Sequence, residues 1–303
     1  MKRFIQVILA IIWLFLFVGV SSAADGLQKI SDHVYAYTGT INPSTANSFG
    51  ANAGIVIGDK GILVVDTLGS AKEARKFIED IKKISAKPVR YVVDTHSHFD
   101  HTFGNSEFAA LQAVICAQTS CPINMMKSLP LIIKHAKDYG ITDEDAKAIK
   151  ITYPDVTTPE MMRIDLGNVS VDILFMAPSH TDDSVMVFIP RDKVLFSGDV
   201  LFTDYYPYMG DGDIIGWGKT LDFIKSVPVD KIIPGHGPVS VKKDVAEMKD
   251  YILAFDQKAI ELCAKSNDIE AISAQLKKSL PARSQADFLI KGSIQAKYLQ
   301  PKN

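Results

Sequence analysis

Three imidazoles and a carboxylate, His96, His98, Asp100 and His101, fall within six consecutive positions of the run Thr95-His96-Ser97-His98-Phe99-Asp100-His101. Neutral imidazole and carboxylate are the ligands of a borderline-soft divalent metal such as zinc. So dense a set of polar groups is costly to desolvate unless something binds it. The residues just before it, Val89-Arg90-Tyr91-Val92-Val93-Asp94, are β-rich and largely apolar, so they predict a buried strand. The run therefore sits where a strand gives way to a loop, the place where open α/β sheets carry their chemistry.

Three later segments share the same grammar of an apolar β run followed by a small residue or proline and then a potential ligand. Ile173-Leu174-Phe175 leads to His180, Val194-Leu195-Phe196 to Asp199, and Ile232-Ile233 to His236. Strands lying side by side would bring all four ends to one rim. His135 lies among lysines and is expected on the surface.

The elements that must position these residues follow from periodicity and turn chemistry. Val34 to Tyr37 alternates as a strand, and Thr38 to Asn52 is expected as a long exposed loop. Ala53–Ile57 and Ile62–Val65 form a hairpin across Gly58-Asp59-Lys60-Gly61. Ser70 with Glu73 makes a capping box for a helix whose inner face is Ala74, Phe77, Ile78 and Ile81. From Ser120 to Lys150 the chain is helical, with Met125, Met126, Leu129, Leu131, Ile132 and Ile133 expected to pack. A second hairpin crosses Gly167-Asn168, and a third pair of strands crosses Arg191-Asp192-Lys193. Helices fill the chain beyond His236.

Residues 1–24 have the pattern of a secretory signal peptide: Lys2 and Arg3, the apolar run Ile5 to Val20, then Ser21-Ser22-Ala23-Ala24. A periplasmic or secreted protein is the expectation, with residues 25–303 as one domain. The 303 residues carry a formal net charge of −2 and show no basic stripe and no second hydrophobic span. Nucleic acid and a stable membrane anchor are therefore not expected partners, and a small-molecule substrate is. Cys116, Cys121 and Cys263 contain no CxxC pair. Cys116 and Cys121 could pair across a turn or stand as buried thiols.

The run His96-x-His98-x-Asp100-His101 followed by His180, Asp199 and His236 resembles the metallo-β-lactamase superfamily. The resemblance covers nearly the whole chain after the leader. It implies an α/β four-layer αββα sandwich, two mixed sheets with helices outside, and a dinuclear zinc site. His96, His98 and His180 would hold the first metal, and Asp100, His101 and His236 the second, with Asp199 bridging. Two metals about 3.5–4 Å apart would share a hydroxide that attacks an ester, thioester, lactone or amide carbonyl, with Asp100 as the catalytic residue orienting it. Asp66, Asp94, Asp182 and Asp183 are candidates to hydrogen-bond the imidazoles.

Departures within the superfamily point to a branch. The familiar zinc β-lactamases have a cysteine where Asp199 stands and a lysine where Phe202 stands, which argues against penicillin hydrolysis as the main role. Aspartate there is similar to the glyoxalase II, lactonase and phosphodiesterase branches, but Asp204-Tyr205-Tyr206-Pro207-Tyr208 lacks the basic residues that grip glutathione. The exported form looks most like the hydrolases associated with sulfur-oxidation and quinoprotein systems. Tyr205, Tyr206 and Tyr208 could line a substrate pocket or simply pack their loop, and the Thr38 to Asn52 loop is a candidate flap. The alternatives are a mononuclear iron persulfide dioxygenase-like oxidoreductase, a β-lactamase, or a metal-binding protein without catalysis. His98 argues against flavodiiron oxidoreductases, which carry glutamate at that place.

Overall fold

The computed structural model describes residues 26–299, so the expected leader lies outside the described residues. One sheet has seven strands in chain order: β1 (Gln28–Lys29), β2 (Val34–Tyr37), β3 (Ala53–Gly58), β4 (Gly61–Val65), β5 (Val89–Val93), β6 (Val114–Gln118) and β7 (Val156–Thr158). Strands β1 to β4 pair antiparallel and β4 to β7 parallel. The antiparallel part turns tightly across Asp59-Lys60, where Gly61 takes φ +143° that a side chain would resist. The parallel part needs crossovers, and the helix Ala71–Ile84 supplies the one from β4 to β5.

The second sheet contains β8 (Met161–Asp165), β9 (Ser170–Leu174), β10 (Met186–Ile189), β11 (Val194–Phe202) and β12 (Lys231–His236). Its spatial order is β12-β11-β10-β9-β8, antiparallel except for β11 beside β12. Both sheets are thus mixed. They pack face to face, with Val34, Val56, Leu63 and Val93 meeting Val171, Ile173, Val187 and Phe196. On the outer face of the first sheet, Ala74, Phe77, Ile78 and Ile81 cover Ile55, Ile62, Val64 and Val92. On the outer face of the second, Trp217, Leu221 and Ile224 of helix Ile214–Ser226 and Val245, Met248 and Ile252 of helix Lys242–Cys263 cover Leu195 and Ile232. The order of layers is αββα, as the resemblance implies.

Several local expectations are refined. Ser70 caps its helix by accepting from the Glu73 N–H at 3.2 Å, but the Glu73 carboxylate takes the Ser70 hydroxyl proton at 2.9 Å rather than the capping backbone N–H. Met125 and Leu129 enter a core with Phe103 and Ala117, whereas Met126 and Leu131 are exposed because the helix Cys121–Lys134 shows only one face to the body. All three cysteines are free, Cys116 and Cys121 buried. No helix among the described residues is long and apolar enough to cross a membrane.

The four ligand-bearing strands do not lie side by side. Strand β5 belongs to the first sheet and β9, β11 and β12 to the second, so the rim is assembled by packing two sheets rather than within one. Asp199 also lies inside β11, where the register against β12 slips on either side of Gly198. That bulge re-aims the carboxylate out of the ladder. The two sheets are tied at this edge by Val185 N–H to the Thr95 carbonyl at 2.7 Å and by Asn52. Buried Asn52 donates from Nδ2 to the Pro234 and Gly237 carbonyls at 2.8 and 2.9 Å, and its N–H reaches Gly235 O at 2.7 Å. Asn52→Ala would remove the two buried side-chain hydrogen bonds to the Pro234 and Gly237 carbonyls, of which Gly237 keeps the Gly39 N–H at 3.0 Å, and should lower unfolding stability by about 1–3 kcal/mol in denaturant titration.

Candidate metal centre

All seven expected ligands converge. One ligand atom each from His96, His98, His180 and Asp199 lie within 4.8 Å of one another, and the same holds for Asp100, His101 and His236. Asp199 connects the two groups. Its Oδ2 is 3.3 Å from His180 Nε2 and 3.8 Å from His96 Nε2, while its Oδ1 is 3.2 Å from His101 Nε2 and 3.5 Å from His236 Nε2. Asp100 Oδ2 faces the second group at 3.4 Å from His236 Nε2 and 3.7 Å from His101 Nε2. His135, by contrast, is exposed and pairs locally with Asp138.

The local folding explains the aim of each ring. Asp66 ends β4 with φ +59° and accepts from Thr95 N–H, the Thr95 hydroxyl and His101 Nδ1–H at 2.7, 2.9 and 2.9 Å. The Thr95 hydroxyl, having given its proton to Asp66, accepts from His96 Nδ1–H at 3.1 Å. His236 Nδ1–H donates to the Phe49 carbonyl at 3.2 Å, and the Phe202 ring stacks on it at 5.1 Å and 3°. His98 Nε2–H donates to Asp211 at 3.0 Å. Each of these rings keeps its other nitrogen turned toward the cluster.

Glycine makes the space. A Cβ on Gly235 would stand 1.8 Å from Asp199 Oδ1, and one on Gly198 (φ +49°) would strike the Thr95 side chain at 2.7 Å.

The donor set fits divalent metal ions. His96 Nε2, His101 Nε2 and Asp199 Oδ1 are buried with no hydrogen-bond partner among the described residues, a cost that metal ligation removes. Burial first, and then the charge of His101, push the His96 imidazole well below its usual range; burial lowers His180 to about 3. Both are therefore neutral and ready to ligate. Burial opposes ionisation of Asp199, but His236, His101 and His180 outweigh it and hold the carboxyl well below the ordinary range. At the second group burial is overcome in the other direction. Asp199 and Asp100 raise His236 to about 9, and Asp100, Asp199 and Asp66 raise His101 well above its usual value.

Of the four aspartates expected behind the ligands, only Asp66 touches an imidazole. Asp94 accepts from Asn105 at 2.8 Å, Asp182 from Asn124, and Asp183 from the Thr181 hydroxyl, so these brace the loops instead. Asp211 and the Phe49 carbonyl were not foreseen in these roles, because neither carries a spacing signal relative to His98 or His236. Arg283 is a third such residue. From the segment after the helix Ile269–Ser279 it donates to the Phe202 and Tyr205 carbonyls at 3.0 and 3.2 Å, and so steadies both rings beside His236. Tyr205 and Tyr206 are buried in the loop's own packing, while half-buried Tyr208 stands 5.9 Å from the His98 ring. The Thr38 to Asn52 loop contains a short helix, Thr45–Gly50. Its end from Ser48 to Asn52 is wall rather than flap: the Ser48 hydroxyl accepts from Gly69 N–H at 2.7 Å and Phe49 anchors His236.

Two mixed sheets lie between helices, and a rim across them is lined by His and Asp groups that could hold metal ions. The profile described as the metallo-beta-lactamase superfamily matches residues 47–236, and the chain belongs to that superfamily. It is 24% identical over 239 residues to a metallo-beta-lactamase type 2 of Elizabethkingia meningoseptica, covering 77% of this chain and 86% of that one. It is 26% identical over 222 residues to a linear primary-alkylsulfatase of Pseudomonas sp. (strain ATCC 19151), covering 62% of this chain but only 42% of the sulfatase. A metallo-beta-lactamase structure from Pontibacter korlensis superposes with a TM-score of 0.60 at 20% identity, over 75% of this chain and 98% of that one.

Two outcomes are expected. His101 and His236 at the second group must lose protons to ligate, whereas at the first group only His98, where Asp211 outweighs burial and raises the imidazole, has one to lose. Each displaced proton costs about tenfold in affinity per pH unit below its pKa. Affinity at the second group should therefore fall more steeply than at the first as pH drops from 9 to 6, measured by chelator competition with zinc. Asp66→Asn, which loosens His101 directly and His96 only through Thr95, should weaken binding at the second group by about 10–100-fold and at the first by less.

Proposed function

We propose that this protein is an exported, zinc-dependent hydrolase that uses two metal ions to split an ester, thioester, lactone or amide. The observation that carries this reading is the placement of Asp199, one oxygen facing each cluster, between six other converging candidate ligands. A full set of ligands at both clusters supports two ions rather than one. When bound, the ions would supply Lewis acidity and a water acidic enough to attack at neutral pH.

The chain's own residues set the rest. Asp100 lies at the rim of the second cluster with 9% of its surface exposed, so it can both face His236 and His101 and accept a proton from a water beside them. Asp66, the Phe49 carbonyl and Asp211 hold three imidazoles in one tautomer and one orientation. Phe202 is buried against His236 and offers no cation to a substrate carboxylate, which supports a role other than penicillin hydrolysis. The basic start, apolar run and small-residue exit of residues 1–24 support export and a mature chain from residue 25.

Protein purified without added metal should carry close to two zinc ions per chain by mass spectrometry, and a chelator should abolish ester or thioester hydrolysis until zinc is returned. Asp100→Ala should lower kcat by about 10²–10⁴-fold. One iron per chain with oxygen uptake on persulfides would overturn the reading.

A further inference from the structure

An arc of aromatic rings runs along the mouth of the metal centre. Tyr139 lies 5.7 Å from Phe99, Phe99 5.6 Å from Phe49, and Phe49 6.1 Å from Phe288. These rings come from four separate places: the short helix Ala136–Tyr139, the ligand run itself, the N-terminal loop and the helix Phe288–Ser293. Phe99 sits between the ligands His98 and Asp100, and the Phe49 carbonyl holds His236, so the arc begins at the ligands. At its outer ends Tyr139 and Phe288 keep 43% and 44% of their surface exposed, so the arc presents apolar surface outward.

Phe49 and Phe99 are also walls of a cavity of about 240 Å³ that Ile141 and Ile149 help to line. Its polar neighbours are already engaged. Glu73 accepts from Ser70, Lys76 donates to Asp80 at 2.8 Å, and Asp145 accepts from Thr142 at 2.7 Å. Lys72 is exposed at the rim. What the cavity leaves for a ligand is therefore mainly apolar surface, beside the backbone that presents Asp100: a Cβ on Gly69, another of its walls, would stand 3.3 Å from the Asp100 Cα.

Resting on the hydrolase reading, we propose that the substrate carries an extended apolar acyl or aryl group that seats between Phe49, Phe99, Ile141 and Ile149. That seat fixes the substrate relative to Asp100 without any charged contact, in keeping with the absence of a cation at Phe202. Burial of a methylene in such a site improves affinity by about two- to fourfold.

The test separates seating from turnover by using compounds that are not hydrolysed. Binding of 2-alkanones of four to nine carbons to the whole protein is measured by calorimetry. Affinity should rise by about two- to fourfold per carbon. Ile149→Trp, which fills the cavity, and Ala46→Phe, which narrows it from an exposed position on its lining, should each flatten that dependence while zinc content stays unchanged. Ala46→Phe stands in if Ile149→Trp does not fold. Affinity that is flat with chain length in the native protein, or a slope that survives both fillings, overturns the proposal. A normal slope in a protein that hydrolyses no ester or thioester would instead count against the hydrolase reading alone.

Discussion

One buried carboxylate governs this site. Asp199 is 4% exposed and has imidazole nitrogens of His96, His101, His180 and His236 within 3.2–3.8 Å of its two oxygens. An anion so placed needs cations around it. Asp199 and Asp100 together raise the imidazoles of His101 and His236, whereas burial lowers those of His96 and His180.

Much of the surrounding structure exists to keep that carboxylate where it is. Gly198 provides the bulge that turns it out of β11, and Gly235 leaves the space beside it. Asp66 fixes Thr95 and His101 together, so one side chain orients rings in both clusters, directly for His101 and through the Thr95 hydroxyl for His96. The C-terminal helices contribute as well. Half-buried Arg283 holds the carbonyls of Phe202 and Tyr205, and those two rings flank His236. Packing far from the chemistry thereby limits how the second cluster can move.

The mouth of the centre differs in character from its floor. The floor is charged and largely buried, whereas the arc from Tyr139 to Phe288 is aromatic and partly exposed. A substrate meeting both must bring an apolar body and a polar reacting bond. This division of labour is common in small-molecule sites, where apolar walls supply affinity and a few polar groups supply orientation.

The sequence by itself nominated the seven candidate ligands and placed them after β runs, and the resemblance carried by those residues implied the αββα order of layers. Ligand identity is local chemistry, and His96-x-His98-x-Asp100-His101 carries it in six positions. Periodicity likewise located the hairpins around Gly58–Gly61 and Gly167-Asn168, because turn residues act on their immediate neighbours. What only the tertiary structure decided was which distant groups meet the ligands. Asp211 is 113 residues from His98 and the Phe49 carbonyl 187 from His236, and neither has a spacing that local rules can read. The same reason explains Asp94, Asp182 and Asp183, which look equivalent to Asp66 along the chain but brace loops in space. It also explains why the four strand ends share a rim although they come from two sheets: the packing of one sheet on another is a property of whole faces, not of any one stretch of sequence.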